Sequence, residues 1–523
     1  MTQTITLSAN QVSQIISVAP GTRITSSGNG SISWVAGALA DAQNGSGTWV
    51  EWAKGSSAGY MDTVRQMCIR ATATGNMTVT LDEGLADEYP ENIYFDPEMA
   101  SYQTDASGNV TGLVGPDREK LFQMRRRGNI GMRIFGGRTE TDFSDGTVAK
   151  THHVAMTTAV HFDAVRIVLA AANAVAVPVT KAAVAVLPSA ADLNGNALAW
   201  VACTFSGAAS GSIPERVATK RRTYLVSDIT PISSVDRTDG GAYPLLAARA
   251  FLGTAGTYTL LGKAGGADSF TNWSTHPSGR IHSMRYNDGD CVTTPGNFAS
   301  TVGQNTSPIV GVIYYARGRV VNVAGFGDSI TEGRGTYLGE GFGFPACREL
   351  STSSIAYEWS NFGWSGVQAV DAAGGYLDHV RDAIAAGLPI DIALMPVSSP
   401  NGHTPPITDA SVIIQGRRPL VQMVGASADA GIQPIVWTWM PTNPALKDYN
   451  ASDSLRRQLN SDVQDALSQS APIADLSTAI SGATDVDGQV LMADGLTTDN
   501  IHPNDAGNAA LVPLVKAAIK QVY

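Results

Sequence analysis

Charge is scarce in this chain. Asp, Glu, Lys and Arg make up 15% of its 523 residues, and the formal balance is −11. Phosphate binding calls for a basic surface, so no nucleic-acid partner is expected. Cysteine is scarcer still: Cys68, Cys203, Cys291 and Cys347 lie far apart. They form no metal-ligand pattern and are too few for a disulfide framework, so buried thiols are expected. No apolar stretch is long enough to span a bilayer. The nearest, Val165 to Leu187, contains Pro178 and Lys181, and its valine–alanine alternation suits strands. Met1 to Pro20 lacks a basic segment followed by an apolar core, so no conventional secretory signal is expected. Neither a fixed-period repeat nor a heptad pattern is present.

What the chain does have is a set of chemically matched side chains. Val320 to Phe326 is rich in valine and reads as a buried strand. It runs into Gly327-Asp328-Ser329, which puts a hydroxyl at the strand's carboxyl end, where α/β sheets bind ligands. Far downstream, Asp499-Asn500-Ile501-His502-Pro503 places a carboxylate three residues from an imidazole. A serine hydroxyl is a poor nucleophile until an adjacent base takes its proton. His502 is of the right type, since imidazole titrates near neutrality. Asp499 is placed to hold the ring's other N–H and so fix its tautomer. Alone, Gly-Asp-Ser is a common turn and Asp-x-x-His a common cap; their order and setting favour the catalytic reading.

On these motifs the chain resembles the SGNH, or GDSL-type, hydrolases, over Val320 to Tyr523. The family's first block matches Gly327, Asp328 and Ser329, and its last matches Asp499, His502 and Pro503. Asn361-Phe362-Gly363-Trp364-Ser365-Gly366 resembles the second block, which implies Gly366 as an oxyanion-hole glycine ahead of Gly363. The third block, usually Gly-x-Asn-Asp, is represented by Ser398-Ser399-Pro400-Asn401-Gly402. Asn401 then inherits the oxyanion-hole amide, although the flanking glycine and the following aspartate are missing. The resemblance implies a Ser329, His502 and Asp499 triad, an oxyanion hole of Ser329, Gly366 and Asn401, and a three-layer α/β/α flavodoxin-like domain. Neither metal nor organic cofactor is implied. Gly343, Trp364 and the turn after Asn401 are candidates for an acyl pocket.

The pattern around the motifs reads independently as alternating strands and helices, and hence as a parallel sheet covered on both faces. Helices are expected at Gly343 to Leu350, Tyr376 to Ala386 and Ser411 to Ala430, the last broken or bent near Pro419. Leu455, Leu459, Val463 and Leu467 mark one face of another. Ala509 to Val522 closes the chain as a helix. Strands are expected at Ile355 to Phe362, Ile390 to Val397 and Ile435 to Met440.

Upstream, Thr, Ser, Val, Ala and Gly dominate, with turns at regular intervals. Residues 1–115 read as a β-sandwich module, 116–316 as a β-rich, jelly-roll-like accessory domain, and 317–523 as the hydrolase domain. A link is expected within Asp96 to Pro116. Trp34, Trp49 and Trp52 read as core residues before a sugar-stacking face. The basic runs Arg125 to Arg127 and Lys220 to Arg222 read as solvated faces or ion-pair sites, with an acidic polysaccharide as the alternative partner. His152-His153 reads as an ordinary strand or turn element, and Asp192 to Asn196 as a plain turn.

Two β modules ahead of an esterase point to a polymer substrate. O-acetyl or other acyl esters on polysaccharide are favoured, with small esters or a lipolytic activity as the alternative. A binding protein with a decayed hydrolase fold is the competitor from another class. The layout also resembles phage tail proteins, in which an amino-terminal module docks on the particle and a distal enzyme trims host glycan. An extracellular or virion-associated location is expected, with a homo-oligomer, a trimer if a tail protein.

Overall fold

The computed structural model describes residues 129–523 apart from 135–138, 145–147, 194–195, 197, 219–220, 263–281, 297, 299–305, 335–340, 371–373, 404–410, 442–452, 469, 485–487 and 500. Ahead of residue 129 it describes ten strands and Ser8. Eight of these form two four-stranded antiparallel sheets between Thr2 and Asp82. The other two, Ser101–Thr104 and Val110–Val114, pair as a hairpin, so the expected link carries structure on both sides of residues 105–109. Arg125 to Arg127 and the side chains of Trp34, Trp49 and Trp52 lie outside the described residues.

Between residues 130 and 316 two larger sheets share one apolar core. The first has eight strands centred on Phe162–Ala171 and Ile309–Ala316. The second has five, with Leu245–Phe251 between Lys150–Thr157 and Lys181–Leu187. Val165, Ile167 and Val312 of the first pack with Val154, Val184 and Ala248 of the second. Pro178 lies in a short strand paired at Gly211–Ile213, separate from the larger sheets. That placement fits a residue unable to donate to a central ladder.

From Arg319 onward the pattern changes to strands and helices in alternation. The strands are β1 (Arg319–Gly327), β2 (Ile355–Gly363), β3 (Ile392–Pro396), β4 (Gln433–Trp437) and β5 (Ile473–Ala474). The helices are α1 (Ser329–Glu332), α2 (Gly343–Leu350), α3 (Tyr376–Ala385), α4 (Ser411–Asp429), α5 (Asp453–Leu467), α6 (Leu476–Ile480) and α7 (Asp505–Val522). Every neighbouring strand pair is parallel, in the order β2-β1-β3-β4-β5. The order reverses between β1 and β3, and crevices for ligands open at the carboxyl ends of strands at such a point. α4 runs through Pro419 without a break.

Side-chain alternation sorts the two faces. Ala324, Phe326, Ala393 and Met395 face α3, α4 and α5. Val321, Val323, Ile392 and Leu394 face α2, α6 and α7. The first of these cores does not stop at residue 317. Met132, Ile134, Val168, Ala170, Val310 and Ile313 belong to it as well. Backbone-to-side-chain hydrogen bonds stitch the same seam: Met132 N–H donates to Asn322 Oδ1 at 2.7 Å, and Ile134 N–H to Ser360 Oγ at 3.0 Å. The β-rich region thus covers part of a face that helices alone were expected to cover.

Candidate active site

The carboxyl end of β1 supplies the first group. Gly327 has φ +147°, and a Cβ there would lie 2.2 Å from Thr331 Oγ1, so a side chain is excluded on both counts. The tight turn delivers Ser329 to the first position of α1. Asp328 caps that helix, its Oδ1 accepting the Ile330 N–H at 2.9 Å.

The carboxyl-terminal segment supplies the partners. A bridge between Thr497 and Pro503 closes the loop that carries Asp499 and His502. Asp499 Oδ1 accepts the N–H groups of Ile501 (3.0 Å) and His502 (2.8 Å), which fixes the carboxylate beneath the ring. His502 Nδ1 lies 2.6 Å from Asp499 Oδ2, and its Nε2 lies 2.7 Å from Ser329 Oγ, across 173 positions of chain. With the proton on Nδ1, both contacts are satisfied at once: Nδ1–H donates to the carboxylate and Nε2 accepts from the serine hydroxyl. Burial pushes the Asp499 carboxyl up, but the hydrogen bonds from His502 and Ile501 outweigh it and hold it below the ordinary carboxylate range.

The second block sits beside Ser329 because β2 pairs with β1 to its end. Trp364 N–H donates to Gly327 O at 2.9 Å. The two glycines differ. A Cβ on Gly363 would lie 2.4 Å from Glu332 N, so this residue allows β2 to approach α1. Its N–H is taken by Asn361 Oδ1 at 2.9 Å. Gly366 instead has φ +80° in open space. Among the described residues, no acceptor meets the backbone N–H of Gly366 or of Ser329. Of the two, Gly366 is the one with a donor to offer.

Asn401 lies in the turn Pro400–His403 after β3. Its Nδ2 donates to Val367 O and to Ser399 Oγ, each at 3.1 Å, which ties it to the Gly366 turn. No hydrogen bond joins Asn401 to Ser329 or His502 among the described residues. An oxyanion would therefore compete for amide hydrogens already in use.

Two residues unnamed as site candidates organise this corner. The Asp328 carboxylate is fully buried and accepts from Tyr376 OH (2.9 Å) and Ser399 Oγ (2.5 Å). Burial pushes its pKa up, against the bonds from Ser399, Ile330 and Tyr376. Ser399 in turn accepts from Asn401 N–H at 3.2 Å. Asp328, Ser399 and Asn401 thus form one chain from the nucleophile turn to the third block. The only sequence signal for Ser399 was the departure of that block from Gly-x-Asn-Asp.

Two acyl-pocket candidates are tightly packed. A Cβ on Gly343 would lie 2.3 Å from the Trp359 ring, so Gly343 is a packing position inside the core. Trp364 is buried between Arg222 and the His379 ring. Residues 404–410 of the turn after Asn401 lie outside the described residues.

No family model matches the chain, and no curated protein does. Solved structures do resemble it. A GDSL-like lipase from Bacteroides thetaiotaomicron is 14% identical, with 39% of this chain and 89% of that one covered and a TM-score of 0.29. A lipase/acylhydrolase from Enterococcus faecalis is 16% identical over 38% and 96%, with a TM-score of 0.29. A member of the lipolytic G-D-S-L family from Veillonella parvula is 16% identical over 38% and 99%, with a TM-score of 0.30.

Proposed function

We propose that this chain is a serine ester hydrolase of the SGNH type, with a flavodoxin-like catalytic region over residues 317–523. The observation that carries the reading is the continuous relay from Ser329 Oγ through His502 to Asp499, at 2.7 and 2.6 Å. Ser329 attacks the ester carbonyl as His502 Nε2 takes its proton, and Asp499 stabilises the imidazolium. The N–H groups of Ser329 and Gly366, with the Asn401 amide, receive the oxyanion. His502 then protonates the leaving alcohol, activates water and regenerates the serine as the acid departs.

The favoured substrates are acyl esters, O-acetyl above all, on a polysaccharide. Support comes from the layout, since two β-rich regions (1–115 and 116–316) precede the catalytic one, as sandwich and jelly-roll-like modules suited to gripping a polymer. An extracellular or virion-associated setting follows from the same reading, with a homo-oligomer, trimeric in a tail protein. Ser329→Ala should lower hydrolysis of p-nitrophenyl acetate by several orders of magnitude with the thermal midpoint retained. Turnover like the wild type's in that variant removes Ser329 from the mechanism. A p-nitrophenyl ester series separates a deacetylase, which falls off beyond short acyl chains, from a lipolytic enzyme. Acetate released from acetylated glycans tests the polymer itself.

A further inference from the structure

The paired arginines Arg221 and Arg222 stand ahead of the catalytic region, in the segment leading into the strand Thr223–Val226. That strand pairs with Phe162–Ala171 of the eight-stranded sheet. Neither arginine is a solvated cation. Arg221 forms a forked ion pair with Asp382 of α3, its Nε at 3.1 Å from Oδ2. Arg222 is almost wholly buried and reaches the second block itself. Its Nη2 donates to Gly363 O at 3.0 Å, and its guanidinium lies over the Trp364 ring at 4.5 Å. Trp364 is fixed from its other side as well: its ring meets His379 at 5.2 Å, and its carbonyl accepts the Val367 N–H at 3.1 Å.

Two of the four residues from Gly363 to Gly366 are thereby anchored from outside the turn. Gly363 is held by Arg222 and Asn361, and Trp364 by Gly327 O and the guanidinium, while the bond from Val367 N–H to Trp364 O closes the turn around Gly366. A buried Gly363 carbonyl without Arg222 would lose its side-chain donor, at the residue where β2 gives way to the turn. Arginine suits this place better than lysine, because its planar fork can stack on an aromatic ring and donate in-plane at the same time.

We propose that Arg222 is a positioning residue for the oxyanion turn, supplied by the β-rich region to the catalytic one. It acts through Gly363 and Trp364 to aim the Gly366 N–H at the ester oxygen, and it touches no reacting atom. The β-rich region is then part of the active-site machinery rather than a tethered accessory. The inference rests on the ester-hydrolase reading for its catalytic consequence, whereas the ordering of the turn can be tested without any turnover.

The test compares the full chain with its Arg222→Met and Arg222→Lys variants in two measurements. Hydrogen exchange of the peptide spanning 361–367 should quicken in Arg222→Met, with exchange elsewhere in β1 and α7 unchanged. Hydrolysis of p-nitrophenyl acetate should lose roughly tenfold or more in kcat, less than the hundredfold or more of a lost oxyanion donor. KM should stay within about threefold and the acid limb of the pH–rate profile should not move, since the His502–Asp499 pair is untouched. Arg222→Lys should fall between, keeping a cation over Trp364 without the fork. Should Arg222→Met fail to fold, the lysine variant carries both measurements alone. Unchanged exchange at 361–367 overturns the proposal whatever the activity. Exchange quickened equally throughout the chain also overturns it, by assigning Arg222 to general stability. An inactive wild type, with exchange altered at 361–367, sinks the esterase reading and leaves the anchoring role of Arg222 standing.

Discussion

Two buried histidines in this molecule have opposite chemistry. His502 lies beside Ser329 with a carboxylate on its Nδ1. His153, in the strand Lys150–Thr157, has an arginine there instead: Arg249 Nε donates to its Nδ1 at 3.2 Å, while its Nε2 meets Leu193 O at 2.6 Å. Burial, then the Arg249 charge, lowers the His153 pKa to about 3. A ring that cannot take a proton near neutrality cannot serve as a base. Both rings are out of solvent, so burial alone does not make a catalytic histidine. At His153 burial opposes a positive ring most and the Arg249 charge adds to it, whereas at His502 a carboxylate holds Nδ1 and a hydroxyl meets Nε2.

Exchanging each ring for Gln is the sharpest way to break this comparison. His502→Gln removes the base and should lower kcat roughly 10⁵-fold with little change in unfolding midpoint. His153→Gln should leave kcat within about twofold and act on stability alone. Ester turnover and thermal unfolding of both variants check the pair. A large kcat loss in His153→Gln would mean that the two sites are coupled.

The next largest effect belongs to Arg249. Its guanidinium is fully buried between the rings of Trp200 and Phe298, at 4.0 and 4.3 Å. It donates to Cys291 O (2.7 Å) and Thr294 O (2.8 Å) as well as to His153. One side chain thus pins two loops onto the five-stranded sheet. Arg249→Met keeps the apolar bulk but strands several buried acceptors, and should cost about 4 kcal/mol. Denaturant unfolding followed by the Trp200 environment measures it. A loss under about 1 kcal/mol would show that water takes over the acceptors easily.

Arg249 also marks the boundary of what the amino-acid pattern could reveal. Leu245–Phe251 reads Leu-Leu-Ala-Ala-Arg-Ala-Phe, which is helix-forming by propensity. It is a strand because Lys150–Thr157 and Lys181–Leu187 pair with it from either side, and neither pairing is local. Ile309–Ala316 carries no boundary signal of its own for another reason: only Arg317 and Gly318 separate it from β1. Within 319–523 the reading was much closer. α2 falls at Gly343–Leu350 as expected, and β2, α3 and β4 start or end within a few residues of their expected bounds. There each element's own periodicity matches its burial. Ser329, Asp499 and His502 were legible because their motifs are short and chemically complete. Ser399 and Tyr376 were not, since their tie to Asp328 spans 71 and 48 positions. Arg222 was seen only as part of a basic run, its partner lying 141 residues away.

The smallest effect is the response of His153 to pH. In the folded chain His153 titrates near 3, against an ordinary 6.5. Between those values the unfolded chain binds a proton that the folded one refuses. Stability from this residue is therefore full above pH 6.5 and is lost as pH falls toward 3. Asp499 behaves differently, because its carboxyl is held below 3.8 and its contribution is lost only as pH falls through that lower value. From pH 6.5 to 4.5, then, His153 is the one of the two that responds. One proton sets an upper limit of about 1.4 kcal/mol per pH unit on its slope. His153→Gln should flatten the fall of the unfolding midpoint over that window and leave it parallel to wild type above pH 7. Identical slopes from pH 6.5 to 4.5 would mean that the ring takes its proton without unfolding, and that Arg249 can move aside.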